Sequence, residues 1–194
     1  MDNQPGGGPS GGPPSQTPPC RLQVVDIRMK AAHAAFVAFA EEQRLELVRF
    51  VMRCGASLAE AESAAREAFA EGWRLISRDL REWRKVGDER LWIRKVALGV
   101  WTGTGGMRPL LPEVATVGVE LADLAGQALD TTIVLAALPP GQRLAMALHR
   151  DGFGPAEVAA FMEVPEPEAA RLLGDARATL RVSLAAYRTT QGEP

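Results

Sequence analysis

The sequence predicts an all-α protein: two small helical domains, a bundle and a helix-turn-helix, joined by a flexible linker. Three observations carry that prediction. Apolar residues recur at three-to-four spacing over most of residues 26–101 and again over 127–187. No segment shows the strict apolar/polar alternation of a half-buried strand, and no hairpin dipeptide occurs between apolar runs. Between the two periodic stretches, residues 102–126 hold several glycines and two prolines with weak periodicity, the signature of an interdomain linker.

The elements follow in chain order. Residues 1–25 read as a tail, because MDNQPGGGPSGGPPSQTPP offers nothing apolar to offset the entropy of ordering it. Phe36 and Phe39 then begin one apolar face, and Leu45, Leu47, Val48, Val51 and Met52 continue another until Cys54-Gly55. Ser57 is placed as an N-cap, with Glu60 three residues later completing a capping box. Ala61, Ala65, Phe69, Trp73, Ile76, Leu80 and Trp83 make one continuous stripe, read as one helix up to Gly87-Asp88. Such stripes face inward, so Trp73 and Trp83 are assigned to the core, while Trp92 is left more open. Leu91, Trp92, Val96 and Val100 mark a further short helix that ends the first domain at residue 101.

The second domain, residues 127–187, is patterned in shorter pieces. Leu129, Ile133, Leu135 and Leu138 form a helix stopped by Pro139-Pro140-Gly141; Leu144, Met146, Ala147 and Leu148 form the next, ending near Asp151-Gly152. A helix from Pro155 to Met162 and one from Pro165 to about Leu184 are joined around Glu163-Val164. A short helix, a tight turn and a longer helix make a helix-turn-helix, whose second helix enters the major groove of DNA. Residues 188–194 are read as a tail.

Composition narrows the function. At 194 residues and 46% apolar the chain can bury a real core, and no run approaches the roughly 20 apolar residues that span a bilayer. The first residues have neither the basic nor the apolar part of a secretory signal, so a cytoplasmic protein without a membrane span is expected. Cys20 and Cys54 form no C-x-x-C pair, and His33 and His149 lack partners at metal spacing, so no metal and no cofactor are expected. Cys54 reads as a small buried hydrophobe. No nucleophile, base and orienter set is present, which argues against an enzyme.

Charge is distributed unevenly. The chain carries a formal net charge of −2, yet the stretch from Trp73 to Lys95 sums to +4, and all four tryptophans fall between residues 73 and 101. Cations interleaved with large rings suit unpaired bases, the cations holding phosphates and the rings stacking. The stretch from Glu157 to Arg177 sums instead to −3. Its acidic first turn, Glu166 and Glu168, suits the helix dipole and would face phosphates if that end entered a groove.

Several short motifs in register extend this reading. Leu138-Pro139-Pro140-Gly141-Gln142-Arg143, Gly154-Pro155-Ala156-Glu157-Val158-Ala159, Val164 and Asp175-Ala176-Arg177-Ala178-Thr179-Leu180-Arg181 together resemble the promoter −35-reading domain of extracytoplasmic-function sigma factors. The stretch from Ala61 to Arg74 resembles the helix with which that family docks on core RNA polymerase. Leu91-Trp92-Ile93-Arg94-Lys95-Val96-Ala97 resembles its promoter-melting helix. The resemblance covers most of residues 36–184. It implies a sigma factor that binds core polymerase through Glu62, Arg66, Glu67, Phe69 and Trp73. It also implies contacts to promoter DNA through Arg78, Arg81, Arg84, Lys85, Trp92, Arg94 and Lys95 in the first domain and Arg171, Arg177 and Arg181 in the second. An anti-sigma factor is a further implied partner.

The chain departs from the family pattern at Ser63 and Arg66, at Leu98-Gly99-Val100, and at Ala170, Leu172 and Asp175, where the family generally carries a basic side chain. Those departures keep a second reading open: a sigma-like regulatory protein that binds polymerase or an anti-sigma factor and reads DNA weakly or not at all.

Overall fold

The structure, a computed structural model, describes residues 21–103 and 134–191. The expected tail up to Cys20, the linker from Thr104 onward, the helical positions Leu129 and Ile133 and the last three residues lie outside the described residues. Among the described residues the protein is entirely helical, without a strand. No helix among them is long and apolar enough to cross a membrane.

Helix α1, Arg21–Arg53, is a single run of 33 residues that begins inside the expected tail and carries both apolar faces read from the sequence. It has no glycine or proline to interrupt it, and it stops where Gly55 takes a φ of 118°. Phe36, Leu47, Phe50, Val51 and Cys54 are buried, whereas Leu45 is on the outer side and more than half exposed.

Helix α2, Leu58–Arg78, starts with the expected capping box: Ser57 N donates to Glu60 Oε2 at 2.8 Å, and Glu60 N donates to Ser57 Oγ at 3.3 Å. Its buried row is Ala61, Ala64, Ala65, Ala68, Gly72 and Ile76. These small residues let α1 approach closely. A Cβ on Gly72 would lie 2.5 Å from Cζ of Phe36.

The stripe read as one helix is two. Asp79 leaves the helical region, with φ −152° and ψ 93°, and its carboxylate accepts from the backbone N–H groups of Arg81 at 2.9 Å and Glu82 at 3.4 Å. A short side-chain acceptor that can serve the next turn competes with helix continuation. Helix α3, Leu80–Trp83, therefore starts anew and drives Trp83 edge-on against Phe36, 5.3 Å between ring centroids, and Trp92, 5.4 Å. Helix α4, Glu89–Thr102, is capped by Asp88, which accepts from Leu91 N at 3.0 Å, and closes at Gly103 with φ 69°.

In the second module residues 134–136 are helical, and the carbonyls that follow are gathered by one buried side chain. The Arg143 guanidinium donates to the carbonyl oxygens of Leu135 at 3.1 Å, Ala136 at 2.8 Å and Leu138 at 3.0 Å. Helix α5 is Pro140–Arg150, α6 is Pro155–Met162 and α7 is Glu166–Gln191. Glu157 accepts from Gly154 N at 2.7 Å, closing the start of α6. The turn between α6 and α7 passes through Glu163, whose φ of 57° is left-handed. The helix-turn-helix read from the sequence is present.

The two modules share one core. Leu47, Phe50, Val51 and Cys54 of α1 and Ile93, Ala97 and Leu98 of α4 form a continuous buried cluster with Leu144 and Leu148 of α5, Phe153, and Val158 and Phe161 of α6. Phe50 and Phe161 meet across the seam at 6.3 Å, edge to face.

Replacing Ser57 by alanine tests the start of α2. Its hydrogen bonds hold the Glu60 carboxyl below the usual value near 4.5. A depressed carboxylate contributes stability that is present above the unfolded value and is lost as pH falls through the folded one. Ser57→Ala is expected to lower stability by about 1 kcal/mol at neutral pH. The gap to the parent should narrow below a pH of about 4.5. Urea midpoints measured across pH check both points.

Candidate nucleic-acid interface

The basic residues singled out in the sequence divide by the elements that carry them. Arg78 at the end of α2, Arg81 in α3, and Arg84 and Lys85 in the turn that follows are all exposed. They lie where Asp79 breaks the helix, so one short arm presents four cations. Arg78, Arg81 and Arg84 have no ion-pair partner among the described residues. Lys85 donates to Glu82 at 2.5 Å, which raises its pKa. An exposed pair of this kind is weak, so a phosphate can take the place of Glu82.

The tryptophans do not form an open stacking platform beside that arm. Trp83 is buried at 7% exposure, and Trp92 is half-buried, wedged against Trp83. Trp73, assigned to the core by its stripe, is instead 42% exposed and stacks on His33 at 4.1 Å. The buried row of α2 runs through Ala68, Gly72 and Ile76, which puts Phe69 and Trp73 one residue further round the helix, at the flank. His33 Nε2 lies 3.0 Å from Ser77 Oγ, so the stack joins α1 to α2 on their outer side.

Arg94 and Lys95, on α4, face the second module. Arg94 is 1% exposed; its Nε donates to Asp151 Oδ2 at 2.6 Å and its Nη1 to the carbonyl of Arg90 at 3.0 Å. Burial pulls the Arg94 guanidinium down and Asp151 pulls it back up. Arg53 of α1 pairs with the other oxygen of Asp151, and Arg90 donates to its backbone carbonyl at 2.7 Å. Lys95 donates to Glu163 at 2.7 Å. The sequence reading missed Asp151 and Arg53. One local signal was available: Asp151 is the C-cap of α5, where the helix dipole disfavours an anion, so its carboxylate had to be used elsewhere.

On the second helix of the helix-turn-helix, Arg171 is ion-paired within the helix. Arg171 donates from Nε and Nη2 to both oxygens of Glu168, at 2.9 and 2.5 Å, and from Nη1 to Asp175 at 2.8 Å. These bonds hold the Glu168 carboxyl below its usual range and raise Arg171. Arg177 donates to His149 Nε2 at 2.9 Å, and the other ring nitrogen of His149 faces the carbonyl of Phe153 at 3.3 Å. Arg181 is exposed.

The residues expected to meet polymerase lie on one flank of α2. Glu62, Arg66 and Glu67 are exposed, with Glu67 and Glu71 both holding Arg74. Phe69 and Trp73 line an open groove of about 630 Å³ with Phe36, Val37 and Ala40 of α1, a wall the sequence reading did not include.

No protein-family profile and no curated protein matches the chain. Its fold is similar to that of CnrH in a solved complex with the cytosolic domain of CnrY. The TM-score is 0.61 at 18% identity, over 81% of this chain and 92% of that one. At that identity the likeness is one of fold.

Tryptophan fluorescence checks the placement of the rings. Trp73→Phe is expected to remove the component most open to acrylamide and lower the quenching constant, while Trp83→Phe leaves the constant unchanged or raises it.

Proposed function

We propose that the protein is a sigma factor of the extracytoplasmic-function type, which binds core RNA polymerase and directs promoter recognition and initiation. The observation that carries this reading is a fold likeness spanning both modules, in a chain whose motifs resemble that family in the same order. CnrH, a protein of similar fold, was solved in complex with the cytosolic domain of CnrY. In this reading Glu62, Arg66, Glu67, Phe69 and Trp73 form the polymerase face. The arm of Arg78, Arg81, Arg84 and Lys85 follows the backbone of the melted strand; Trp92, Arg94 and Lys95, which the family resemblance adds to that surface, are engaged with Trp83, Asp151 and Glu163 in this arrangement and join it only by exchanging those contacts. Arg171, Arg177 and Arg181 meet the upstream duplex. An anti-sigma factor is the regulatory partner, proposed by likeness to the CnrH complex, and the protein works in the cytoplasm without enzymatic activity.

A second reading, a sigma-like protein that binds polymerase or an anti-sigma factor without reading DNA, is favoured by one observation. Arg171, placed to reach a groove from α7, is held by Glu168 and Asp175. A guanidinium bound by two carboxylates must exchange them before it can make a bidentate contact to guanine.

Adding the protein to purified core polymerase and a pool of promoter fragments is expected to yield discrete transcripts. Binding to core without any transcript selects the second reading. Arg84→Ala and Lys85→Ala should each weaken binding to a single-stranded promoter oligonucleotide. Each should also flatten the dependence of log affinity on log salt by about 0.7, the value for one lost phosphate contact on a single strand. Unchanged salt slopes for both variants remove the arm from the DNA interface.

A further inference from the structure

We propose that the outer face of α1 is a self-association surface, on which a second copy of the chain packs its own α1 in antiparallel register across a twofold axis beside Ala34 and Ala38. The effect of this pairing on polymerase rests on the function proposed above; the pairing itself does not.

The face lies opposite the buried row of α1. Phe36, Gln43, Leu47 and Phe50 are buried, and the helix packs against α2, α4 and α5. Half a turn away, Ile27, Ala31, Ala34, Ala38, Glu41 and Leu45 are all exposed. They alternate at four and three residues, the heptad spacing with which one helix meets another. Ile27 is 64% exposed and Leu45 56%. One such side chain in water is ordinary. Two large apolar groups at the ends of a single heptad register, with alanines between them, form a continuous stripe that no element among the described residues covers.

The stripe is complementary to itself. In antiparallel register Ile27 faces Leu45 of the second copy, Ala31 faces Glu41 and Ala34 faces Ala38, and the twofold axis repeats each layer. The central alanines let the helix axes approach to about 8 Å, the near end of helix packing. Charge supports the same register. Arg28, beside Ile27, meets Glu42 of the second copy, and by symmetry this bridge forms twice; neither residue has an ion-pair partner among the described residues. Glu41 sets the direction, because a parallel pair would put two Glu41 carboxylates in one layer, whereas the antiparallel pair puts each over an alanine with room to reach water. On the other edge Lys30 approaches Arg44 of the second copy, and this like-charged contact keeps the association reversible.

The stripe borders the groove assigned above to polymerase. Val37, Glu41 and Arg44 form part of the α1 wall of that groove, opposite Phe69 and Trp73. A second α1 laid along the stripe covers this wall, so the dimer and core polymerase compete for the first module, and the dimer is a form of the protein withheld from polymerase.

Sedimentation equilibrium of the full chain, from the micromolar to the millimolar range, is expected to show a monomer and dimer in exchange. Arg28→Glu and Glu42→Arg should each weaken the dimer roughly tenfold, since each reversal turns two bridges into two repulsions. The two substitutions together should restore the parent constant. Both positions are exposed, and circular dichroism checks that the helices are kept. A chain that stays monomeric throughout overturns the proposal, as does a dimer whose constant none of these variants moves, because it then lies on another face. Direction is read by cross-linking in a Cys20→Ser background with a mild oxidant. Ala34→Cys mixed with Ala38→Cys should give the mixed disulfide faster than either gives its own; the reverse order overturns the antiparallel register. Core polymerase is then titrated into the dimer. Loss of dimer as polymerase binds supports the competition. Polymerase that binds dimer and monomer alike keeps the pairing and removes its effect on polymerase.

Discussion

The arrangement of the two modules depends on where one carboxylate goes. Asp151 ends α5 at a position the helix dipole makes unfavourable, and it is held there by two arginines from separate helices of the other module. Every other contact across the seam is consistent with that choice: the ring pair of Phe50 and Phe161, the rings around Arg94, and the outer bridge from Lys95 to Glu163. The apolar cluster supplies most of the favourable free energy, because burial scales with apolar area. The ions supply the register, since a guanidinium and a carboxylate meet in few geometries.

Local structure was legible wherever a side chain acts on its own backbone. The Ser57 and Glu60 box, the stop at Gly55, and the limits of α6 at Pro155 and Met162 all follow from interactions within four residues. The break at Asp79 was not read, although Asp is a good cap, because the apolar spacing continues unbroken across it. Trp73 shows the converse limit. Three-to-four spacing assigns a residue to a face about a third of the helix wide, and Gly72, which carries no side chain to count, marks the true centre of that face.

The candidate site was legible as a set of residue types and not as a set of available groups. Summing charge over Trp73 to Lys95 treats Arg84 and Arg94 alike, yet one is exposed and the other lies in the seam. The difference is made by Asp151, 57 positions from Arg94 along the chain. The acidic first turn of α7 was legible, but the sequence does not reveal that Arg171 is spent within the helix, bridging Glu168 and Asp175 at i−3 and i+4.

The turn at Glu163 raises a question of residue choice. A non-glycine residue in the left-handed region costs roughly 1–2 kcal/mol, and glycine would remove that strain. Glycine would also remove the carboxylate that reaches Lys95. A glutamate kept at φ 57° therefore makes the helix-turn-helix slightly worse as an isolated motif and better as a tethered one. Seen this way, the turn that sets the angle between α6 and α7 is also a hinge pin for the whole module, and its strain is tolerated for a task outside the motif.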